Sequence, residues 1–403
     1  MPLRDAYAIL GISRTCSEEE IKQAYKALAL RHHPDKVLDE NHRREATARF
    51  QEIQAAFEEL CKGHRRMDLV VPSRTELMSA CERGELHLAR QLLSEVNLQD
   101  STGRTALMFA AQAAQIEVIQ LLLEHHADVQ RRNCAGHTCV MFAVGAGLKV
   151  ESPQDERALR HLQAVRMLLD EGAPVNGSTG YGLSALMLAS TSGRINMMEL
   201  LLDRGADVNM ASDIGLTALV MASDKGHTAA VRLLLQRAAD ANARYANGKT
   251  PLMSAAAQAY SGVVDALLEH HAHVNAQSGD GHTALLYAVE MQLKDGLVCP
   301  VEGAVTKPQV QDTVRILLAA AAEVNLKGPR GRSALHVAVC SSADLAQRLV
   351  AAKAAVTAKD EEGQTPLTLA AERNMDIGLS RLPAVHHKQL GCFSACACWR
   401  FLA

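Results

Sequence analysis

A spacing constrains this chain more than any other feature. A Gly-x-Thr/Ser frame followed by a small and then an apolar residue recurs with Gly103, Gly136, Gly182, Gly215, Gly248, Gly281, Gly331 and Gly363. Successive glycines lie 33, 46, 33, 33, 33, 50 and 32 residues apart, and the two long gaps equal one period plus 13 and one period plus 17. A fixed period of this length marks a stack of small units, each able to bury its apolar face only against its neighbours. Every period holds a second landmark, an apolar run closing in a short polar turn: LLLEHHADV, MLLDEGAPVN, LLLDRGADVN, LLLQRAADAN, ALLEHHAHVN and ILLAAAAEVN. The unit therefore reads turn, helix, turn, helix, loop. A glycine-free copy, TELMSAC over Thr75–Cys81 followed by ARQLLSEV, adds a ninth, N-terminal capping unit.

Composition agrees with this reading. Dividing the 403 residues by about 150 per domain would suggest two or three compact domains, but a repeat array replaces that estimate with a quasi-one-dimensional stack. Aromatic residues are 3% of the chain, against 65 alanines. Small side chains with high helix propensity let helices approach closely, and the residues that strands prefer are thin. The expected fold class is all-α.

The signature opening each unit reads TALMFAA, TCVMFAV, SALMLAS, TALVMAS, TPLMSAA, TALLYAV, SALHVAV and TPLTLAA. It resembles the ankyrin repeat, over about residues 73 to 385, and implies an α-solenoid of about nine repeats with a concave partner-binding surface. The Thr or Ser hydroxyl accepts a hydrogen bond from an orphan N–H at the helix start, and the Gly before it takes a turn conformation. One departure lies at the end of the second helix, where the usual Gly is replaced by His126, Ala238, His271 and Ala321 or Ala322; each is expected to cost up to about 1 kcal/mol. The long gaps place insertions near 145–161 and 292–311, between the two helices of their repeats, where surface loops are tolerated. Turn-tip residues expected to be exposed, and so to form the partner contacts, are Arg132, Tyr181, Asp213, Arg244, Tyr245, Lys249, Arg330 and Arg332.

Residues 1–66 are of another kind. Ser17 with Glu20 makes a capping box that starts a helix with Ile21, Tyr25, Leu28 and Ala29 on one face, and Pro34 ends it. A further helix carries Phe50, Ile53, Phe57 and Leu60 on one stripe, which suits an antiparallel hairpin. The tripeptide His33-Pro34-Asp35 between them, with Asp5, Tyr7, Leu10 and Gly11 before, resembles the J-domain of DnaJ-type co-chaperones. Phe57 stands where Tyr is commoner, and Ala27 where another basic residue is frequent. The resemblance implies docking on a heat shock protein 70 class ATPase chaperone and stimulation of its ATP hydrolysis. His33, Pro34 and Asp35 would form the contact loop, and Lys22, Lys26, Arg31 and Lys36 a basic face. That face is local, since residues 1–66 hold 12 Lys plus Arg against 11 Asp plus Glu. The rival reading keeps only the ankyrin scaffold, with a vestigial J-like module.

Other constellations support less. The net charge of -3 argues against nucleic acid as an obligatory partner. The longest apolar run, Ile316 to Ala322, is far short of the roughly 20 residues of a bilayer span, and no signal sequence is expected. A cytoplasmic or nuclear protein is the expectation. The doublets His125-His126 and His270-His271 fall at helix ends of different repeats, without the Cys and His quartet of a zinc site. In the tail, 386–403, Cys392, Cys396 and Cys398 beside Phe393, Trp399 and Phe401 are open to three readings: zinc, an S-acylated anchor, or a frayed end. No Walker loop, G-x-S-x-G or H-E-x-x-H occurs, so neither catalysis by the chain nor a cofactor or metal is expected.

Overall fold

Each unit of the stack begins at a hydroxyl. The computed structural model describes Ile9, Ala24, Leu28, Ala56 and residues 74–145, 155–294 and 307–372. The chain divides into two units, Met1–Arg74 and Thr75–Ala403. In the first, Ile9, Ala24, Leu28 and Ala56 are helical, Arg74 lies in a bend, and Ala56 is fully buried. In the second, seventeen α-helices and no strand occur among the described residues.

These helices come as pairs: α1 (Glu76–Arg83) with α2 (Leu86–Gln91), α3 (Ala106–Gln112) with α4 (Ile116–Glu124), α5 (Cys139–Val144) with α6 (Glu156–Asp170), and α7 (Ala185–Thr191) with α8 (Ile195–Asp203). There follow α9 (Ala218–Asp224) with α10 (Thr228–Gln236), α11 (Pro251–Ala257) with α12 (Ser261–Glu269), α13 (Ala284–Lys294) with α14 (Lys307–Ala319), and α15 (Ala334–Ser341) with α16 (Ala343–Ala351). Helix α17 (Pro366–Glu372) opens a ninth unit. The hydroxyls of Thr75, Thr105, Thr138, Ser184, Thr217 and Thr250 accept from the N–H three residues on at 3.2–3.4 Å, which satisfies one orphan donor at each helix start. Behind each cap a Leu or Val and small alanines are buried: Leu107 with Ala110, Leu186 with Ala189, Leu219 with Ala222, Leu285 with Ala288. One continuous apolar core runs through the stack, and the alanine excess is the consequence of helices nested this closely.

From α4 to α16, the second helix of each pair ends in a left-handed residue. His126, Ala238, His271 and Ala321 have φ of 60°, 64°, 61° and 61°, and Lys353, with φ 66°, does the same; Ala322 does not hold this position. At Gly205, which keeps the glycine, an added Cβ would meet nothing within 4 Å. The replacements therefore carry backbone strain without a clash.

An asparagine ladder straps these ends together. Asn209 Nδ2 donates to the Ala238 carbonyl at 3.2 Å while its Oδ1 accepts from Asp240 N–H at 2.8 Å. Asn97, Asn176, Asn242 and Asn325 make the same pair of bonds one repeat on.

The two long gaps are not loops throughout. Helix α6 has 15 residues, against nine for α4, α8, α10 and α12. The segment Glu156–His161, expected in a loop, is helical because Asp155 Oδ1 caps it, accepting from Arg157 N–H at 3.0 Å, and because Ala164, Val165 and Leu168 continue the buried face. Residues 292–294 and 307–311 likewise belong to α13 and α14. Residues 146–154 and 295–306 lie outside the described residues.

Candidate interaction surface

The turn tips that precede the first helices are closed by short polar side chains. Asp100 Oδ1 accepts from Thr102 and Arg104 N–H, Asn133 Oδ1 from Ala135 and His137 N–H, and Asp360 Oδ1 from Glu362 and Gln364 N–H, all at 2.7–3.1 Å. Such local bonds favour a turn over continued helix. Consecutive tips are joined by backbone bonds: Cys134 N–H to Thr102 O, Gly180 to Ala135, Asp213 to Tyr181, Ala246 to Ile214 and Gly279 to Asn247, at 2.7–3.2 Å. The tips thus form a registered edge, with the residue before each glycine in one row.

Of the eight expected contacts, five are exposed: Arg132, Tyr181, Asp213, Arg244 and Arg330. The other three are not, because a neighbouring side chain covers each. Tyr245 is half-buried and its hydroxyl bonds Ser254 Oγ; burial pushes its phenol pKa up, against the opposing effect of Ser254. Lys249 is half-buried with its ammonium over the Tyr287 ring, 5.3 Å from the centroid. Arg332 spans to Asp360 Oδ2 at 3.2 Å and Glu362 Oε2 at 3.3 Å. Burial works to raise the Asp360 pKa, and the bonds from Gln364 N–H, Arg332 and Glu362 N–H outweigh it, holding the carboxyl below its usual value.

A second row lies on the first helices, four residues after each cap: Phe109, Phe142, Leu188, Met221, Ser254, Tyr287, Val337 and Leu369. Phe142, Leu188, Met221, Tyr287 and Leu369 are half-buried. The Arg104 guanidinium sits over Phe109 and Phe142, 3.9 and 4.6 Å from the ring centroids. His282 stacks on Tyr287 at 4.7 Å, between Asp280 Oδ2 at 3.0 Å and Glu290 Oε1 at 3.2 Å. This row escapes a sequence reading that looks only at the turn tips, although its constant distance from the cap is visible there.

Cys81 and Cys139 are buried, and burial pushes both thiols up to about 12. Both are inert core residues at neutral pH. Cys134 is exposed on a tip. His125 and His270 close α4 and α12, and no cluster of three metal-ligating side chains occurs among the described residues. No described helix is long and apolar enough to cross a membrane. His33, Pro34, Asp35, Lys22, Lys26, Arg31 and Lys36, with the tail cysteines Cys392, Cys396 and Cys398, lie outside the described residues.

Two family models match the sequence. The model described as DnaJ domain matches residues 5–69. That described as Ankyrin repeats (3 copies) matches 52–151, 157–212, 219–297 and 303–379.

Proposed function

The chain belongs to the ankyrin repeat family and carries a DnaJ domain at its amino-terminal end, and from that premise we propose that it is a co-chaperone whose repeats hold a protein partner. The DnaJ domain docks on a heat shock protein 70 class ATPase through the His33-Pro34-Asp35 loop, with Lys22, Lys26, Arg31 and Lys36 facing an acidic surface of the chaperone. The observation that carries this reading is the intact His33-Pro34-Asp35 tripeptide inside the matched residues 5–69. The chain performs no catalysis itself: the ATP hydrolysed is the chaperone's, and this chain changes only its rate. Tethering a partner on the repeats raises the partner's effective concentration at the chaperone, in the cytoplasm or nucleus.

The test is the steady-state ATPase of a purified heat shock protein 70, with wild-type protein and with His33→Gln. The wild type is expected to accelerate hydrolysis and His33→Gln to leave it at the basal rate. Equal rates with both proteins would leave an ankyrin scaffold with an inactive J-like module.

A further inference from the structure

Two of the largest exposed apolar side chains in the stack are neighbours. Tyr181 is 77% and Ile214 60% exposed, and they hold the same place in consecutive tips, joined by the Asp213 N–H bond to the Tyr181 carbonyl at 3.2 Å. The fold does not ask for apolar residues there, since Thr102, Ala135, Asn247, Asp280, Arg330 and Glu362 fill the place in other repeats.

The same two tips interrupt a second ladder. Along the edge, Gln99, Arg132, Arg244, Gln277 and Lys327 each extend a side chain to the carbonyl of the corresponding residue in the next tip. Ser178 and Ala211 occupy the two intervening places, and their side chains are too short to cross. Among the described residues no side chain donates to the Ala211 and Arg244 carbonyls, beside the two exposed apolar groups.

Cations flank the gap. Arg132 lies on the tip before Tyr181 and Arg244 on the tip after Ile214, both exposed and both bonded only to carbonyls. Among the described residues no carboxylate pairs with either, whereas Arg131, Arg204, Arg232 and Arg237 are each paired with an Asp or Glu. Asp213 is an exposed carboxylate on the Ile214 tip.

We propose that the edge formed by Tyr181 and Ile214 is the docking site for an extended segment of a partner protein, apolar at its centre and acidic at both ends. The inference rests on the reading of the repeats as partner-binding and adds the chemistry of what they bind. Acidic ends meet Arg132 and Arg244, the apolar centre covers Tyr181 and Ile214, and the segment's amides reach the open carbonyls. Tyr and Arg are the residue types that most often dominate such contacts. Three tip-to-tip steps of about 9 Å span about 27 Å, or about eight residues of extended chain.

The experiment is fluorescence anisotropy with the full-length protein and three labelled peptides of about that length. They share one core of an aromatic and two aliphatic residues, flanked by Asp and Glu, by Lys, or by Ser. The acid-flanked peptide is expected to bind tightest, and Tyr181→Ser with Ile214→Ser, both surface changes, to weaken it by about tenfold or more. Arg132→Glu with Arg244→Glu is expected to reverse the preference toward the Lys-flanked peptide. Equal binding of all three peptides, or an acid-flanked affinity unmoved by the double Ser variant, overturns the proposal. A concentration-dependent dimer in sedimentation that the double Ser variant abolishes also overturns it, assigning the edge to a second copy of this chain. Selection from a random peptide library run in parallel separates the two levels. Enriched peptides that bind the double Ser variant unchanged overturn this edge alone, and a selection that enriches nothing overturns the partner-binding reading with it.

Discussion

His336 shows how closely a single residue is specified in this stack. It is 1% exposed, its Nδ1 accepts from Ser333 N–H at 3.1 Å, and its Nε2 faces the Gln364 carbonyl at 3.3 Å. A carbonyl only accepts, so Nε2 carries the proton and the ring is neutral. Burial holds its pKa below the ordinary value, against the bond to Gln364, and burial lowers His161 in the same way, against its bond to Ala143. As pH falls, the unfolded chain takes up these protons near pH 6.5 while the folded chain resists until lower pH. Stability is therefore full above about pH 6.5 and declines below it, by no more than about 1.4 kcal/mol per pH unit for each histidine. The urea midpoint is expected to be lower at about pH 5.5 than at about pH 7.5, and His161→Gln with His336→Gln to reduce that difference. Backbone strain is as local: Ala238→Gly, at φ 64°, should gain about 0.5–1 kcal/mol, while Ala229→Gly, exposed in the first turn of α10, should lose about as much. Thermal melts of the two variants check the pair.

At the scale of elements, the asparagine ladder is the device that joins one helix pair to the next. Each Asn fills two backbone valences of a left-handed turn about 30 residues on, and a net 0.5–1.5 kcal/mol per bond sets the effect of Asn209→Ala at about 1–2 kcal/mol of lost stability by urea denaturation. Asn209→Asp keeps the acceptor for Asp240 N–H and loses only the donor to Ala238, so it should fall between the two. The ladder's residues stand in the sequence as the Asn that ends several apolar runs, at Asn176, Asn209, Asn242 and Asn325, but their partners lie in the next repeat, where periodicity alone does not point. The helix starts were legible for the opposite reason: Thr105 and Ser184 bond groups three residues away, and local bonds leave local signatures. Positive φ at Lys353 was not legible, because a lysine is no signal for a left-handed turn. Nor was the cover over Tyr245, Lys249 and Arg332, which comes from Ser254, Tyr287, Asp360 and Glu362, the last three about one period away. Long gaps read as loops because length was the only cue, and the Asp155 cap that turns part of one into helix resembles any other polar residue.

On the scale of the whole stack, cooperativity depends on the weakest joint, since each repeat touches only its neighbours. The joint after α5 is the candidate. That helix has six residues where α3, α7, α9 and α11 have seven, and the insertion follows it directly. Two buried side chains hold its last carbonyls: His161 Nδ1 donates to Ala143 O at 2.7 Å, and Arg194, 6% exposed, donates through Nη1 to Val144 O. Gln115 and His227 hold the equivalent place elsewhere, donating to Glu82 and Thr191 carbonyls at 3.2 and 3.0 Å. At the shortened helix the strap is an arginine, and a hydrogen bond from a charged donor is worth about 1.5–3 kcal/mol. Arg194→Met keeps the apolar bulk and removes the donors, so it should cost about 2–3 kcal/mol and loosen α5 from α7. Urea-dependent hydrogen exchange then distinguishes two outcomes. In the wild type, peptides from α1–α5 and from α9–α12 are expected to lose protection at one urea concentration. In Arg194→Met the two groups should separate, with α1–α5 opening first. Arg232→Ala, which breaks an exposed pair with Glu269, should shift both groups by no more than about 0.5 kcal/mol and leave them together. A single unfolding step in Arg194→Met would mean that the apolar core alone couples the repeats across the insertion.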